Sequence, residues 1–373
     1  MQVPYLHTTD PTVRTGSGRQ VLREGPAASA DRWRRRVFRR TAAALTVLAV
    51  LFPVMAAPGP DGLAPRTVSV AAGPGAGHTS WKRAYLASID HPDTPPPGAD
   101  DWNCLPGARH PRPVVLLHGT YENAYSNWSA LSPRLRAEGY CVFAVNFGAP
   151  RGDVAKGRAA IPESAEEVAR FVDRVLDRTG ARQVDLVGHS QGGGILPRYY
   201  LKFAGGAHPS DPARNKVHHL IGISPANHGS TVSGLATLAQ RLHILAPAAE
   251  FGGQALADQT IGSAVNRRLD TGGDTMPGVR YTTLVTRWDR IVTPYERQYL
   301  RPGHSTGRVT DTTVQDLCPR DRTGHMGSPY APVFLRLVSN ALDPATARQP
   351  DCGHGSAVPD GGKAQVRLPA GGR

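Results

Sequence analysis

From about Asp101 the chain alternates short, unbroken apolar runs with stretches that are apolar on one helical face only. Pro113 to Leu117 is a buried-strand pattern ending at His118-Gly119, and Asn127 to Ala137 reads as a helix with Gly139 just past its end. Tyr140 to Phe147 is a second strand. Ser164-Ala165-Glu166-Glu167 has the form of a capping box, in which Ser164 caps a helix and Glu167 reaches back to it. Val168, Phe171, Val172, Val175 and Leu176 follow at the spacing that lines one helix face, and Gly180 ends the pattern. Val184 to Val187, Leu220 to Ile223 and Tyr281 to Thr286 give three more strands, and Val333 to Leu342 a last helix. Strands separated by helices at this spacing form parallel β-α-β units, so the pattern predicts an α/β fold with a doubly wound, mostly parallel sheet. Functional groups are then expected on loops at the carboxyl ends of the strands. Between the fourth and fifth strands, Val232 to Leu245 and Gln254 to Leu269 are moderately apolar and helical in character. They fit either one side of the core or a helical cap over the strand ends.

The two ends of the chain follow other rules. Met1 to Ala57 holds nine Arg against three acidic residues, a net +6 of the chain's formal +13. The basic run Arg34 to Arg40 leads into the apolar stretch Thr41 to Ala57, which is broken by Pro53 and ends in small residues. That is the layout of a cleavable export signal, with a retained membrane anchor as the alternative, although 17 residues broken by a Pro are short for a span that needs roughly 20. Arg35-Arg36-Val37-Phe38 also resembles the twin-arginine form of such signals, with Arg39 where Leu is usual. Residues 58–100 are rich in Pro, Gly and Ala and read as a linker; 101–355 then form the catalytic domain and 356–373 a flexible tail. Beyond the front segment the basic residues are mostly Arg, scattered singly, and no basic patch interleaved with aromatics occurs. A nucleic-acid partner is therefore not expected. Four cysteines in an exported chain predict two disulfides, and the pairs Cys104 with Cys141 and Cys318 with Cys352 each close a local loop. None of the pairs has the close spacing of a zinc knuckle.

Chemistry is concentrated in Gly188-His189-Ser190-Gln191-Gly192, which fits Gly-x-Ser-x-Gly. The motif directly follows a strand and opens a stretch, Ile195 to Phe203, that can continue as a helix, so Ser190 would sit in a sharp strand-to-helix turn that lifts it clear of the sheet. The backbone N–H of Gln191 would then face an anion forming near the serine oxygen. A nucleophilic serine needs a base, and the base an orienting carboxylate, in the chain order serine, acid, histidine. Asp289 stands just past the fifth strand, with Asp311, Asp316 and Asp321 as rivals. His325, in a loop before the final helix, is the favoured base over His304 and His354. His228 precedes the acid and fits a turn beside the site. The second oxyanion donor should come from the loop after His118-Gly119, with Thr120 best placed and Tyr121 its neighbour; His118 braces that loop.

His118-Gly119-Thr120, the Ser190 motif, Asn227-His228-Gly229-Ser230, Trp288-Asp289-Arg290-Ile291-Val292-Thr293-Pro294 and the His325 loop together resemble the bacterial class 2 triacylglycerol lipases, specifically the secreted actinobacterial branch. The resemblance runs from roughly Pro95 to Cys352 and includes the cysteine placement. It implies an α/β-hydrolase fold, a triad of Ser190, Asp289 and His325, oxyanion donors at Thr120 and Gln191, and hydrolysis of carboxylic esters of lipids without a cofactor. Some related lipases hold a structural calcium, but no carboxylate cluster that would reproduce it is visible, and no metal is expected. The expectation is a secreted monomer that adsorbs transiently to lipid interfaces. An acyltransferase acting on envelope lipids and a non-catalytic exported binding protein on the same scaffold are the alternatives.

Overall fold

Every strand pair in the sheet is parallel, as the β-α-β pattern requires. The computed structural model describes residues 77–231, 233–235, 252–301 and 307–352, which belong to the unit Val70–Arg373. The strands are β1 (Val114–Leu117), β2 (Val142–Val145), β3 (Val184–His189), β4 (Val217–Ile223), β5 (Arg280–Val285) and β6 (Arg308–Thr313), in the spatial order β2-β1-β3-β4-β5-β6. Because β2 lies on one side of β1 and β3 on the other, the winding direction reverses between β1 and β3. Loops leaving those two strands diverge and open a crevice at their carboxyl ends, the place where such sheets hold ligands.

Both faces of the sheet are buried. Successive side chains of β1 point to opposite sides: Val115 and Leu117 enter one core, Val114 and Leu116 the other. The first core is closed by α4 (Ile161–Thr179) and α5 (Ile195–Phe203), the second by α2 (Ala124–Trp128), α3 (Leu131–Ala137) and α9 (Pro332–Leu342). The strand α/β assignment thus holds, and five of the six strands fall where the apolar runs lie. The sixth, β6, reads Arg-Val-Thr-Asp-Thr-Thr and is largely exposed along the sheet edge, so it carries no buried-strand pattern.

Several element boundaries differ from the sequence reading. The expected helix Asn127 to Ala137 is two helices, α2 and α3. Asn123 caps the first in a box with Ser126, and Pro133, which has no N–H to donate, is accommodated by restarting the helix so that it falls in a first turn. The capping box at Ser164 does not form, because α4 begins earlier, at Ile161, with Pro162 in its first turn. Ser164 is buried within the helix, and the Ile161 N–H is instead met by the Asp258 carboxylate at 2.9 Å. Glu167 accepts from the Gly148 N–H at 3.3 Å. At the other end Gly180, with φ 66°, stops the helix in the left-handed conformation, as read.

Within the stretch read as a linker, α1 (Trp81–Ser88) is a helix that buries Ala84 and Tyr85. Asn123 Nδ2 donates to Ser88 Oγ at 2.9 Å and ties α1 to the start of α2. Gln254 to Leu269 resolves into α6 (Gln254–Gln259) and α7 (Ala264–Asp270), the second capped by Ser263. The short helix α8 (Val314–Leu317) follows β6. Of the expected helix Val232 to Leu245 only 233–235 are described, and they are helical; the export signal and the tail lie outside the described residues. Among the described residues no helix is long and apolar enough to cross a membrane. Cys104 pairs with Cys141 and Cys318 with Cys352.

Candidate active site

β3 ends at His189, and the chain turns at once into a short 3-10 segment, Ser190–Gly193. Ser190 takes φ 56°, a left-handed conformation that an L-residue adopts only when its surroundings hold it there. Glycine permits the turn: a Cβ at Gly192 would lie 2.3 Å from the Leu117 carbonyl oxygen, and one at Gly188 1.8 Å from that of Gly192. Ser190 itself is only 3% exposed.

Asp289 follows β5 and is fully buried, but its charge is well answered. Oδ1 accepts from the backbone N–H groups of Ile291 and Val292, both at 2.8 Å. Oδ2 accepts from Gln298 Nε2 at 2.9 Å and faces His325 Nδ1 at 2.7 Å. That last contact puts the proton of a neutral His325 ring on Nδ1 and leaves Nε2 as a base. The rival acids are engaged elsewhere: Asp311 accepts from Thr283 Oγ1, Asp316 from Arg287 and Asp321 from the Thr323 N–H. His304 and His354 lie outside the described residues. The His325 loop reaches the serine turn through its neighbour, since His189 Nε2 is 3.1 Å from the His325 carbonyl oxygen and the two rings are 4.7 Å apart.

The loop after β1 approaches from the other side of the crevice. Thr120 Oγ1 donates to Gln191 Oε1 at 2.8 Å and accepts from Gln259 Nε2 at 2.9 Å. With its proton committed to Gln191, the Thr120 hydroxyl has none to offer an oxyanion, so its backbone N–H is the group to consider. Tyr121, with φ 63°, gives its N–H to the Lys156 carbonyl at 2.7 Å and is thereby removed as a donor. His118 lies within hydrogen-bonding distance of the Gly119 carbonyl at 2.8 Å and accepts from the Phe147 N–H at 3.3 Å, while its ring stacks on Phe147. Burial pushes its pKa down to about 3, so it is a neutral brace.

Two residues that the sequence reading passed over join this constellation. Gln298 holds the acid and Gln259, from α6, holds Thr120; both are glutamines with no motif around them, fixed only by the fold. His228, in the turn after β4, joins a charge cluster with Asp270 at the end of α7, Asp274 in the following turn and Arg198 on α5. Its Nδ1 is 2.9 Å from Asp270 and its Nε2 3.1 Å from Asp274. These three are the residues whose ligand atoms could surround a metal ion among those described. The Arg198 guanidinium already supplies the positive charge, 2.7 Å from Asp274. Burial works to raise the Asp274 pKa, but the His228 hydrogen bond and Arg198 outweigh it and hold it at about 2.

Residues 111–245 match the family model for Lipase (class 2). Over 136 residues the chain is 29% identical to a triacylglycerol lipase of Pseudarthrobacter phenanthrenivorans, covering 32% of this chain and 40% of that protein. It is likewise 29% identical over 136 residues to a triacylglycerol lipase of Burkholderia plantarii, covering 32% of this chain and 36% of that one. The match thus spans about two fifths of the length of these curated relatives. Among solved structures, Aspergillus fumigatus lipase B superposes with a TM-score of 0.52 at 21% identity, over 80% of this chain and 64% of that one. The fold is that of an α/β-hydrolase.

Proposed function

We propose, for a chain whose residues 111–245 match the class 2 lipase family model, that it is a serine hydrolase of carboxylic esters, with lipid esters as the substrate class. The observation that carries the reading is the buried 2.7 Å contact between His325 Nδ1 and Asp289 Oδ2, together with a serine held at φ 56° just past the carboxyl end of β3. His325 Nε2 takes the proton of Ser190 as Oγ attacks the ester carbonyl, and Asp289 keeps the ring in the required tautomer and stabilises its charged form. The backbone N–H groups of Thr120 and Gln191 receive the developing oxyanion. His325 then hands its proton to the departing alcohol, and water releases the acyl group by the same steps in reverse order. No cofactor enters this sequence.

The two disulfides support export from the cell, and the Arg-rich front of the chain supports an export signal. A fluorophosphonate probe followed by peptide mass spectrometry tests the reading. Labelling of Ser190 alone is expected, and labelling at a different residue or at none on folded, oxidised protein would refute it. A series of nitrophenyl esters from acetate upward, followed through the solubility limit, then separates a lipase, whose rate jumps at the interface, from an esterase.

A further inference from the structure

A second acid–imidazole pair lies directly beneath the proposed catalytic groups. Glu122, two residues after Thr120, folds back under the oxyanion loop, and its Oε2 is 3.0 Å from His189 Nδ1; both side chains are 1% exposed. The pair fills the space where a side chain at Gly119 would lie: a Cβ there would be 2.7 Å from Glu122 Oε2, 3.2 Å from His189 Nδ1 and 3.3 Å from Ser190 Cβ. Glu122 belongs to the oxyanion loop, His189 precedes the nucleophile, and His189 Nε2 meets the His325 carbonyl at 3.1 Å. One buried pair therefore touches all three segments that converge on the site.

The partners fix where the protons are. His189 Nε2 faces a carbonyl oxygen, which only accepts, so Nε2 carries a hydrogen. His189 Nδ1 faces Glu122 Oε2 and, at 3.2 Å, Asn127 Oδ1. Asn127 Oδ1 also receives the Gly119 N–H at 2.8 Å, which identifies that atom as the amide oxygen. Both ring nitrogens thus face acceptors, so a hydrogen on Nε2 calls for a second proton shared between Nδ1 and the Glu122 carboxyl. Burial lowers the His189 pKa while the Glu122 charge opposes that shift. Neighbouring titratable groups are His118, His325 and Tyr330. His118 is held neutral by burial, and burial likewise keeps the Tyr330 hydroxyl protonated.

We propose that Glu122 is a positioning residue for the reaction: by sharing a proton with His189 Nδ1 it fixes His189 as an Nε2–H donor, which anchors the His325 backbone and so the aim of the His325 ring. This rests on the hydrolase reading above. Without the carboxyl, the one proton of neutral His189 is divided between two similar acceptors, Asn127 Oδ1 at 3.2 Å and the His325 carbonyl at 3.1 Å, and in the Nδ1–H form the bare Nε2 repels that carbonyl. Such a shift of a catalytic loop by a fraction of an ångström to one ångström lowers turnover on the order of 10²-fold.

The test compares Glu122→Leu with Glu122→Gln. Leu removes the proton partner at similar volume, whereas the Gln amide can donate to Nδ1 and keep the hydrogen on Nε2. In Glu122→Leu, kcat for a soluble nitrophenyl ester should fall on the order of 10²-fold with KM unchanged. The acid limb of its kcat/KM profile should move to lower pH, because a displaced His325 ring loses part of the Asp289 stabilisation of its charged form. Glu122→Gln should recover most of the loss and restore the profile. Independently of activity, imidazole ¹⁵N signals of His189 in the parent protein, assigned against His189→Asn, should show Nε2 protonated between pH 5 and 9. A parent-like kcat and pH profile in folded Glu122→Leu, an equal loss in both variants, or an unprotonated Nε2 would each overturn the proposal. If Glu122→Leu does not fold, the ¹⁵N measurement decides. A parent protein that hydrolyses no ester would defeat the hydrolase reading while leaving the His189 signals to be read on their own.

Discussion

Gln298 Nε2 and His325 Nδ1 share one oxygen of Asp289, at 2.9 and 2.7 Å, while the other oxygen is held by two backbone N–H groups. The carboxylate is thereby fixed in angle although it is fully buried, since these hydrogen bonds replace the water it has lost. Replacing Gln298 with Leu removes one charge-assisted bond, worth about 1.5–3 kcal/mol, and frees the carboxylate to rotate. The expected result is a fall in kcat of about tenfold or more with little change in KM. Steady-state kinetics on a soluble ester check it, and an unchanged kcat would remove Gln298 from the site's support.

Thr120 separates two ways of building an oxyanion hole. Its hydroxyl hydrogen is directed to Gln191 and its oxygen receives Gln259, so the backbone N–H is left to bind an oxyanion. Thr120→Val keeps that N–H and should lower kcat by less than about tenfold, well short of the 10²–10³-fold loss that follows removal of an oxyanion donor. The same change strands two buried glutamine side chains, which costs about 1–3 kcal/mol of stability in chemical denaturation. A large loss of kcat without loss of stability would mean that the hydroxyl itself is the donor.

Asp100, next to the first disulfide loop, accepts from the Ala144 N–H at 2.9 Å, and burial raises its pKa to about 6. The folded chain therefore binds this proton more tightly than the unfolded chain, whose Asp titrates near 3.9. Stability from this group is fully present below that value and is lost as pH rises through about 6. Asp100→Asn keeps the acceptor without the charge and suits the φ of 59° found there. Its gain over the parent should be near zero at pH 4 and reach about 1–3 kcal/mol at pH 8. Urea melts at the two pH values check this, and a variant less stable than the parent at pH 8 would contradict it.

The parts of the molecule that announce themselves in the sequence are those with a local physical signature. Val114 to Leu117 must be a buried strand because both its faces are apolar, and Ser190 is marked by the glycines its turn requires. The disulfide pairs follow from four cysteines in two local loops. What stays hidden depends on partners distant in the chain. The Ser164 capping box failed because Asp258, almost a hundred residues later, caps α4 instead. β6 escaped notice because an exposed edge strand needs no apolar face. Gln259, Gln298 and Glu122 are ordinary polar residues until the fold brings them to Thr120, Asp289 and His189. The residues proposed to bear the chemistry stand out by motif and by order along the chain; those that contact them from distant segments do not.

Turnover of a soluble nitrophenyl ester by Ser190→Ala, measured on protein shown to be folded by its circular dichroism and intact disulfides, tests the central claim most directly. The account predicts a fall in kcat on the order of 10⁴-fold or more, with the fold retained. Hydrolysis near the parent rate would contradict it.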